Sequence, residues 1–136
     1  MEIKISREKV TNDFVKKVEE LSNENVLKCY QCGKCSAGCP SVEEMEALPN
    51  QIIRAVQVGE EDEVYKYNTI WICATCYTCM VRCPKGVDLC KVMEALRTIY
   101  LRDTKKDYLS PLGIPEERRE ELPQIALVSN FRKNTA

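Results

Sequence analysis

Nine cysteines stand out among the 136 residues of this chain, and eight of them form two copies of one pattern. Both copies read C-x2-C-x2-C-x3-C-P, and each member of the second lies 44 positions after its counterpart in the first. The first run is Cys29, Cys32, Cys35, Cys39 and Pro40, and the second run is Cys73, Cys76, Cys79, Cys83 and Pro84. This spacing is typical of the thiolates that hold a [4Fe–4S] cluster, so the doubled pattern predicts two clusters.

The fourth cysteine of each run stands apart from the other three, because it follows a longer gap and precedes a proline. In chains with two such runs, the fourth cysteine ligates the other cluster. Transferred to these positions, that rule predicts two crossed ligand sets. The first set is Cys29, Cys32, Cys35 and Cys83, and the second set is Cys73, Cys76, Cys79 and Cys39. The crossing would join the two halves through iron and would place the clusters close enough for electron transfer between them.

Zinc is the alternative metal for eight cysteines, in two four-cysteine sites that would only stabilise a small fold. Zinc pairs usually occur as separated C-x2-C knuckles, so runs of four with a trailing proline favour iron. The sequence contains no histidine. Its absence excludes Cys/His zinc sites, haem held by histidine and catalytic triads built on histidine.

Cys90 is the ninth cysteine and belongs to neither run. It lies near the start of a predicted helix, one residue from the apolar stripe of that helix. We expect a buried, inert thiol of the kind that is common in protein cores. The second interpretation is an alternative cluster ligand or a redox-active thiol.

Composition and charge predict a soluble cytoplasmic protein. The 20 basic and 21 acidic residues nearly cancel, which does not indicate a nucleic-acid surface. The N-terminus, MEIKISREKV, lacks the apolar run of a signal peptide. No stretch approaches the roughly 18 apolar residues of a membrane helix, so no membrane insertion is expected. In the cytoplasm, many cysteines indicate metal or redox chemistry rather than disulfides.

Helical periodicity surrounds both runs, and the predicted fold class is all-α. A helix is expected from Ser6 to Leu21, with one apolar face that either packs on the domain or grips a partner. That face consists of Val10, Phe14, Val18 and Leu21. We expect a second helix from Pro49 to Gly59, a short third helix over residues 60–67, and a long fourth helix from Asp88 to Leu101. The helical insert between the runs argues against a small β-rich two-cluster ferredoxin.

The predicted organisation is an N-terminal helical arm over residues 1–25, a two-cluster helical domain over 26–103, and a C-terminal extension over 104–136. In the extension, a charged helix is expected from Pro115 to Leu122. The segment 124–136 is unusually apolar, and it either folds back on the domain or lies along another protein chain. Its apolar residues are Ile125, Leu127, Val128 and Phe131.

Charged and aromatic side chains flank the runs. The positive charges are expected at the solvated surface, and the aromatic rings are expected to shield the clusters from water. The charges are Lys34, Arg82 and Lys85, and the rings are Tyr30, Trp71 and Tyr77.

Several segments carry a resemblance to a known family. These are CYQCGKCSAGCP and CATCYTCMVRCP, the linking LPNQIIRAVQVG and TIWICATCYTC, and the later KVMEALR and GIPEERR. From about Val26 to Arg119, the chain resembles the iron–sulfur C subunits of the soluble heterodisulfide reductases of methanogenic archaea. The cysteine runs alone are shared with the helical ferredoxin domains of other oxidoreductases, such as the iron–sulfur subunit of succinate dehydrogenase.

The resemblance implies an α-helical ferredoxin domain with two [4Fe–4S] clusters and no bond chemistry of its own. It implies electron transfer from a flavin-containing, electron-bifurcating A subunit to a B subunit that reduces the disulfide of coenzymes M and B. A hydrogenase or a formate dehydrogenase would supply the electrons through the complex. Three alternatives stay open: a subunit of another anaerobic oxidoreductase, a zinc-stabilised interaction module, and a freely diffusing ferredoxin. The near-neutral charge and the apolar tail argue against the last.

Overall fold

The computed structural model describes residues 6–103 and 113–134, and every regular element in these ranges is helical. The predicted all-α class is therefore confirmed. The ten α-helices are α1 (Arg7–Val10), α2 (Asp13–Ser22), α3 (Lys34–Ala37), α4 (Pro49–Gln57), α5 (Glu61–Lys66), α6 (Thr69–Ile72), α7 (Thr78–Arg82), α8 (Leu89–Asp103), α9 (Glu116–Glu121) and α10 (Gln124–Asn134). Two 3-10 turns, Val26–Lys28 and Val42–Glu44, complete the described ranges.

Contacts divide the chain into two compact units, Met1–Arg97 and Thr98–Ala136. The first unit contains all nine cysteines. The predicted three-part organisation, with boundaries after residues 25 and 103, stays a prediction, and the beginning of its C-terminal extension lies outside the described residues. Of the helices in the described part of the chain, none is long and apolar enough to cross a membrane.

The N-terminal segment forms two helices where a single one was predicted. Thr11 ends the first helix, and Asn12 caps the second, because the Asn12 Oδ1 atom accepts a hydrogen bond of 2.9 Å from the Val15 amide. Phe14, Val15 and Val18 are buried, whereas Leu21 is 46% exposed. The predicted apolar face is thus wrong at Leu21, because the last turn of α2 buries Ser22 instead.

Both N-terminal helices pack within the first unit. Lys9 forms an ion pair with Glu60 at 2.6 Å, and the Phe14 ring contacts the Tyr65 ring edge-on at a centroid distance of 6.2 Å. Gly59 adopts a φ of +73°, and a side chain there would collide with the backbone carbonyl of Lys9. This close approach allows α1 to lie against the turn that ends α4.

Helix α4 and the part of α8 before Thr98 supply many of the buried apolar side chains of the first unit, and both helices begin where the sequence predicts. Pro49 takes the first position of α4, and the Asp88 carboxylate caps α8 by accepting hydrogen bonds from the Cys90 and Lys91 amides at 3.0 and 3.3 Å. The apolar residues that these helices bury include Ile52, Ile53, Val56, Val92, Met93 and Leu96.

The second unit contains the charged helix that was predicted after Pro115. Pro115 occupies the N-cap position of α9 rather than its first helical position. The apolar segment that follows is helical as α10. Two of its residues face solvent within this unit, because Ile125 is 73% exposed and Val128 is 53% exposed.

Candidate iron–sulfur site

Cys39 of the first run lies with the second run. One cavity is lined by Cys39 together with Cys73, Cys76 and Cys79, which are the four members of the predicted second ligand set. Apolar side chains complete the walls: Pro40, Met45, Pro49, Ala74, Leu89 and Met93. The structure thus brings together the four thiols that the crossed rule assigns to one cluster.

Tyr30 lies close to several cysteine sulfurs around the first run. Its hydroxyl hydrogen-bonds Cys32, and this bond, with some burial and the nearby Cys32, Cys83 and Cys29 sulfurs, raises the pKa of Tyr30. Cys29 also acts electrostatically on Cys35, whose pKa is raised mainly by burial. Cys83 of the second run therefore lies near Tyr30 of the first run, and the crossed ligand sets stay a prediction.

The thiols that line this cavity are donors whose chemistry suits an iron–sulfur cluster. Within the described residues, no three Cys, Asp or Glu side chains converge closely enough to hold one metal ion. The Cys39, Cys73, Cys76 and Cys79 side chains instead line the walls of a cavity. Soft thiolates around a space with largely apolar walls suit a multi-atom iron–sulfur group, which supplies one-electron redox chemistry when bound.

The two runs have matching backbones. Gln31 and its counterpart Thr75 adopt left-handed φ values of 63° and 52°. Two residues later, Gly33 and its counterpart Tyr77 do so again at 76° and 62°, and a short helix follows each. Repeated left-handed residues turn the chain tightly enough for three successive cysteines to face one object. A glycine accommodates this conformation without strain, whereas a tyrosine does so at a cost.

One side chain anchors each run to the helix behind it. The amide of Gln57, at the end of α4, donates hydrogen bonds of 2.8 Å to the carbonyls of Val26 and Cys29. The guanidinium of Arg97, on α8, donates hydrogen bonds of 2.6 Å to the carbonyls that lie 44 positions later, those of Ile70 and Cys73. Sequence reasoning missed both anchors. The residue Gln57 precedes Arg97 by 40 positions rather than 44, so the cysteine spacing does not align them.

Two positively charged side chains next to the second run contact residues of the first run. Arg82 packs over Gly38, where any side chain would collide with the guanidinium. The Lys85 ammonium lies 5.6 Å from the centre of the Tyr30 ring. Arg82, Lys85 and Lys34 are all exposed, as predicted. Arg82 and Lys85 also make the contacts with the first run described above, which the sequence did not predict.

The aromatic residues beside the runs lie at the surface. Tyr30, Trp71 and Tyr77 are each about half exposed, at 55%, 45% and 47%. Their predicted role as shields against water stays a prediction.

The cysteines differ in how readily they lose a proton. The Lys34 amide lowers the pKa of Cys32, and the Thr78 hydroxyl lowers the pKa of Cys76. Burial raises the pKa of Cys79 to about 12, and the Cys90 thiol adds to that shift. Because iron binds the thiolate, the lowered pKa of the exposed Cys32 and Cys76 thiols favours metal binding at these two positions.

Cys90 is buried, as the sequence predicts, and it lines the same cavity as the second set. Its sulfur lies 3.6 Å from that of Cys79. A coordinated Cys79 carries no proton, so in that state only Cys90 can donate across this contact.

Comparison with known proteins agrees with this geometry. The family described as "4Fe-4S dicluster domain" matches residues 25–87. The iron–sulfur C subunit of the CoB–CoM heterodisulfide reductase of Methanopyrus kandleri is 38% identical over 114 residues, covering 78% of this chain and 58% of that protein. The C subunit of the H2:CoB–CoM heterodisulfide,ferredoxin reductase of Methanothermobacter marburgensis is 34% identical over 93 residues. This match covers 68% of this chain and 50% of that protein.

A third relative, the C subunit of the ferredoxin:CoB–CoM heterodisulfide reductase of Methanosarcina mazei, is 33% identical over 95 residues. This match covers 70% of this chain and 56% of that protein. The chain thus spans a little over half the length of the curated relatives that it matches. The resemblance drawn from the sequence segments is confirmed, and so are the two [4Fe–4S] clusters. Residues 25–87 are a 4Fe–4S dicluster domain, and most of the chain is homologous to the iron–sulfur C subunits of heterodisulfide reductases.

Proposed function

We propose that this chain is the electron-relay subunit of a heterodisulfide reductase complex. In this role it takes electrons from the flavin-containing, electron-bifurcating A subunit. It passes them through two [4Fe–4S] clusters to the B subunit, which reduces the disulfide of coenzymes M and B and is called the heterodisulfide-reducing subunit below. The observation that carries the proposal is the grouping of Cys39 with the second run and of Cys83 with the first. Such a grouping builds two adjacent redox sites into one unit.

The ligands that we propose are the crossed sets predicted from the sequence. Cys29, Cys32, Cys35 and Cys83 would hold the first cluster, and Cys39, Cys73, Cys76 and Cys79 would hold the second. The chain would supply one-electron steps, whereas cleavage of the disulfide to two thiols consumes two electrons and two protons on the heterodisulfide-reducing subunit.

The partners and the electron source are part of the proposal. The names of the relatives mention hydrogen, formate or ferredoxin as electron source. We propose a hydrogenase or a formate dehydrogenase as the source that feeds the complex, in the cytoplasm.

Anaerobic reoxidation tests the proposed role. The purified chain is reduced with dithionite, desalted, and mixed with the heterodisulfide-reducing subunit and the mixed disulfide of the coenzymes. We expect the visible absorbance of the oxidised clusters to return only when both additions are present. The Cys32→Ala and Cys76→Ala variants should each lack one cluster. Under the same conditions, we expect neither variant to reoxidise rapidly. Equal reoxidation without the heterodisulfide-reducing subunit would contradict the proposal.

The preparation itself separates the alternatives. A colourless anaerobic protein with stoichiometric zinc would favour the zinc-stabilised module. A brown protein that runs as a monomer in native extracts, and never with larger proteins, would favour a diffusing ferredoxin. Co-purification with redox subunits of another kind would favour a different oxidoreductase.

A further inference from the structure

The cavity at the second run contains one thiol more than a [4Fe–4S] cluster requires. Such a cluster takes four cysteine ligands, and the proposed second set already supplies four. Cys90 lines the same cavity, so five thiols surround one site. Cys90 is 1% exposed and lies on α8 between Leu89 and Met93, which also line the cavity. Its sulfur is therefore shielded from water and lies among the ligands of the second cluster.

Cys79 is the ligand that Cys90 contacts. Their two sulfur atoms lie 3.6 Å apart. The backbone of Cys90 is fixed at the start of α8, because its amide donates a hydrogen bond of 3.0 Å to the Asp88 carboxylate. A cysteine can change its staggered rotamer and move its sulfur while the backbone stays in place. The Cys90 sulfur can therefore replace the Cys79 sulfur without a rearrangement of α8.

The first set has no comparable extra thiol. Cys35 is the counterpart of Cys79, because it lies 44 positions earlier in the chain. The counterpart of Cys90 at the same spacing is Glu46, which is exposed and accepts a hydrogen bond of 2.9 Å from the Asn68 amide. All other cysteines of the chain already belong to one of the two sets. The extra thiol is thus a property of the second site alone.

We infer that Cys90 is an alternative ligand of the second cluster, which this site can hold with either Cys79 or Cys90 as one of its four thiolates. The exchange balances in protons and needs no electron. The bond between iron and the Cys79 sulfur breaks, a bond between iron and the Cys90 sulfur forms, and the Cys90 proton moves to Cys79 across their contact. The inference rests on the second ligand set of the proposed function, but not on the crossing, because Cys79 belongs to the second run in either case.

Iron analysis and electron paramagnetic resonance of the dithionite-reduced chain test the inference. The signal that is missing from the Cys32→Ala variant identifies the first set, and the signal that is missing from Cys76→Ala identifies the second. We expect Cys79→Ala to keep the iron content of the parent chain and both signals, because Cys90 occupies the vacant ligand position. The double variant Cys79→Ala/Cys90→Ala should lose about half of the iron together with the second-set signal.

Cys35→Ala is the matched control, because it removes the third cysteine of the first run, where no further thiol is available. It should lose about half of the iron and the first-set signal. Loss of the second-set signal from Cys79→Ala, with the first-set signal retained as evidence of folding, would overturn the inference. Equal second-set signals in Cys79→Ala and in the double variant would also overturn it.

A second pair of variants covers the case in which Cys79→Ala does not fold. Cys79→Ser keeps nearly the original side-chain size, and its second-set signal should disappear when Cys90→Ala is added. Equal signals with and without Cys90 would overturn the inference. None of these measurements involves reoxidation by the heterodisulfide-reducing subunit, so failure of the proposed relay is distinguishable from failure of this inference.

Discussion

Each cysteine run is held to a neighbouring helix by hydrogen bonds from one side chain, and that side chain differs between the two runs. Behind the first run, a neutral amide from Gln57 anchors the carbonyls of Val26 and Cys29. Behind the second, the charged guanidinium of Arg97 anchors the two equivalent carbonyls. The backbone atoms correspond at a spacing of 44 residues, whereas the side chains that hold them share neither chemistry nor register.

This difference shows which features cluster binding constrains. The cysteine positions and the left-handed residues before α3 and α7 are common to both runs, because they determine where the thiols point. Anchors, flanking rings and hydrogen-bond donors differ. Those side chains are therefore free to adjust each site separately.

The largest expected effect comes from breaking the crossed ligation. Cys83→Ala should remove about half of the iron, because one ligand of one cluster is lost. The lost resonance signal should be the one that Cys32→Ala also loses. Cys39→Ala should in turn match Cys76→Ala. Metal analysis and low-temperature spectra of the four variants measure this directly.

Cys90→Ala is the matched control for those variants, since it removes a buried cysteine outside both sets. Its iron content should equal that of the parent chain. If Cys83→Ala instead loses the signal that Cys76→Ala loses, each run binds its own cluster and the crossing is wrong.

An intermediate effect should follow loss of an anchor. Gln57→Leu removes the side-chain donor of the Cys29 carbonyl, whereas the Val26 carbonyl keeps the Cys29 amide, so the free energy of unfolding should fall by about 1–3 kcal/mol. In anaerobic urea titrations, the first-set signal should disappear at lower urea in this variant. Arg97→Leu should do the same to the second-set signal.

Gln124→Leu is the control for the anchor variants, because this residue is exposed in the second compact unit. Its urea titration should match that of the parent. Equal loss of both signals in Gln57→Leu would show that the runs unfold together rather than as separately anchored loops.

The smallest effect concerns the contact between the runs. Gly38→Ala introduces a methyl group where the Arg82 guanidinium packs, and it should cost about 1 kcal/mol. In an Arg82→Ala background the same change should cost almost nothing, because the colliding group is absent. Thermal bleaching of the clusters in the two single variants and the double variant measures this coupling. Additive effects would mean that the arginine moves aside freely.

Local sequence signals were sufficient for α4, α5, α8 and α9, but not for α3, α6, α7 and α10. Pro49 and Asp88 mark the starts of α4 and α8, because a first-turn proline and a carboxylate cap act within one turn of the chain. The same reasoning was wrong at Leu21, because the last turn of α2 buries Ser22, whose hydroxyl donates to the Val18 carbonyl, and leaves Leu21 exposed. The break between α1 and α2 was also missed. Asn12 is a preferred N-cap residue and could have indicated this break, but the apolar periodicity that continues across it favoured a single helix.

By itself, the sequence determined the cluster type, the number of clusters and the helical class of the protein. Those properties depend on cysteine spacing and on helical periodicity, which are local in the chain. Only the tertiary structure placed Gln57 and Arg97 behind the runs and Arg82 over Gly38. Each of these contacts joins residues distant in sequence, so packing rather than spacing decides them.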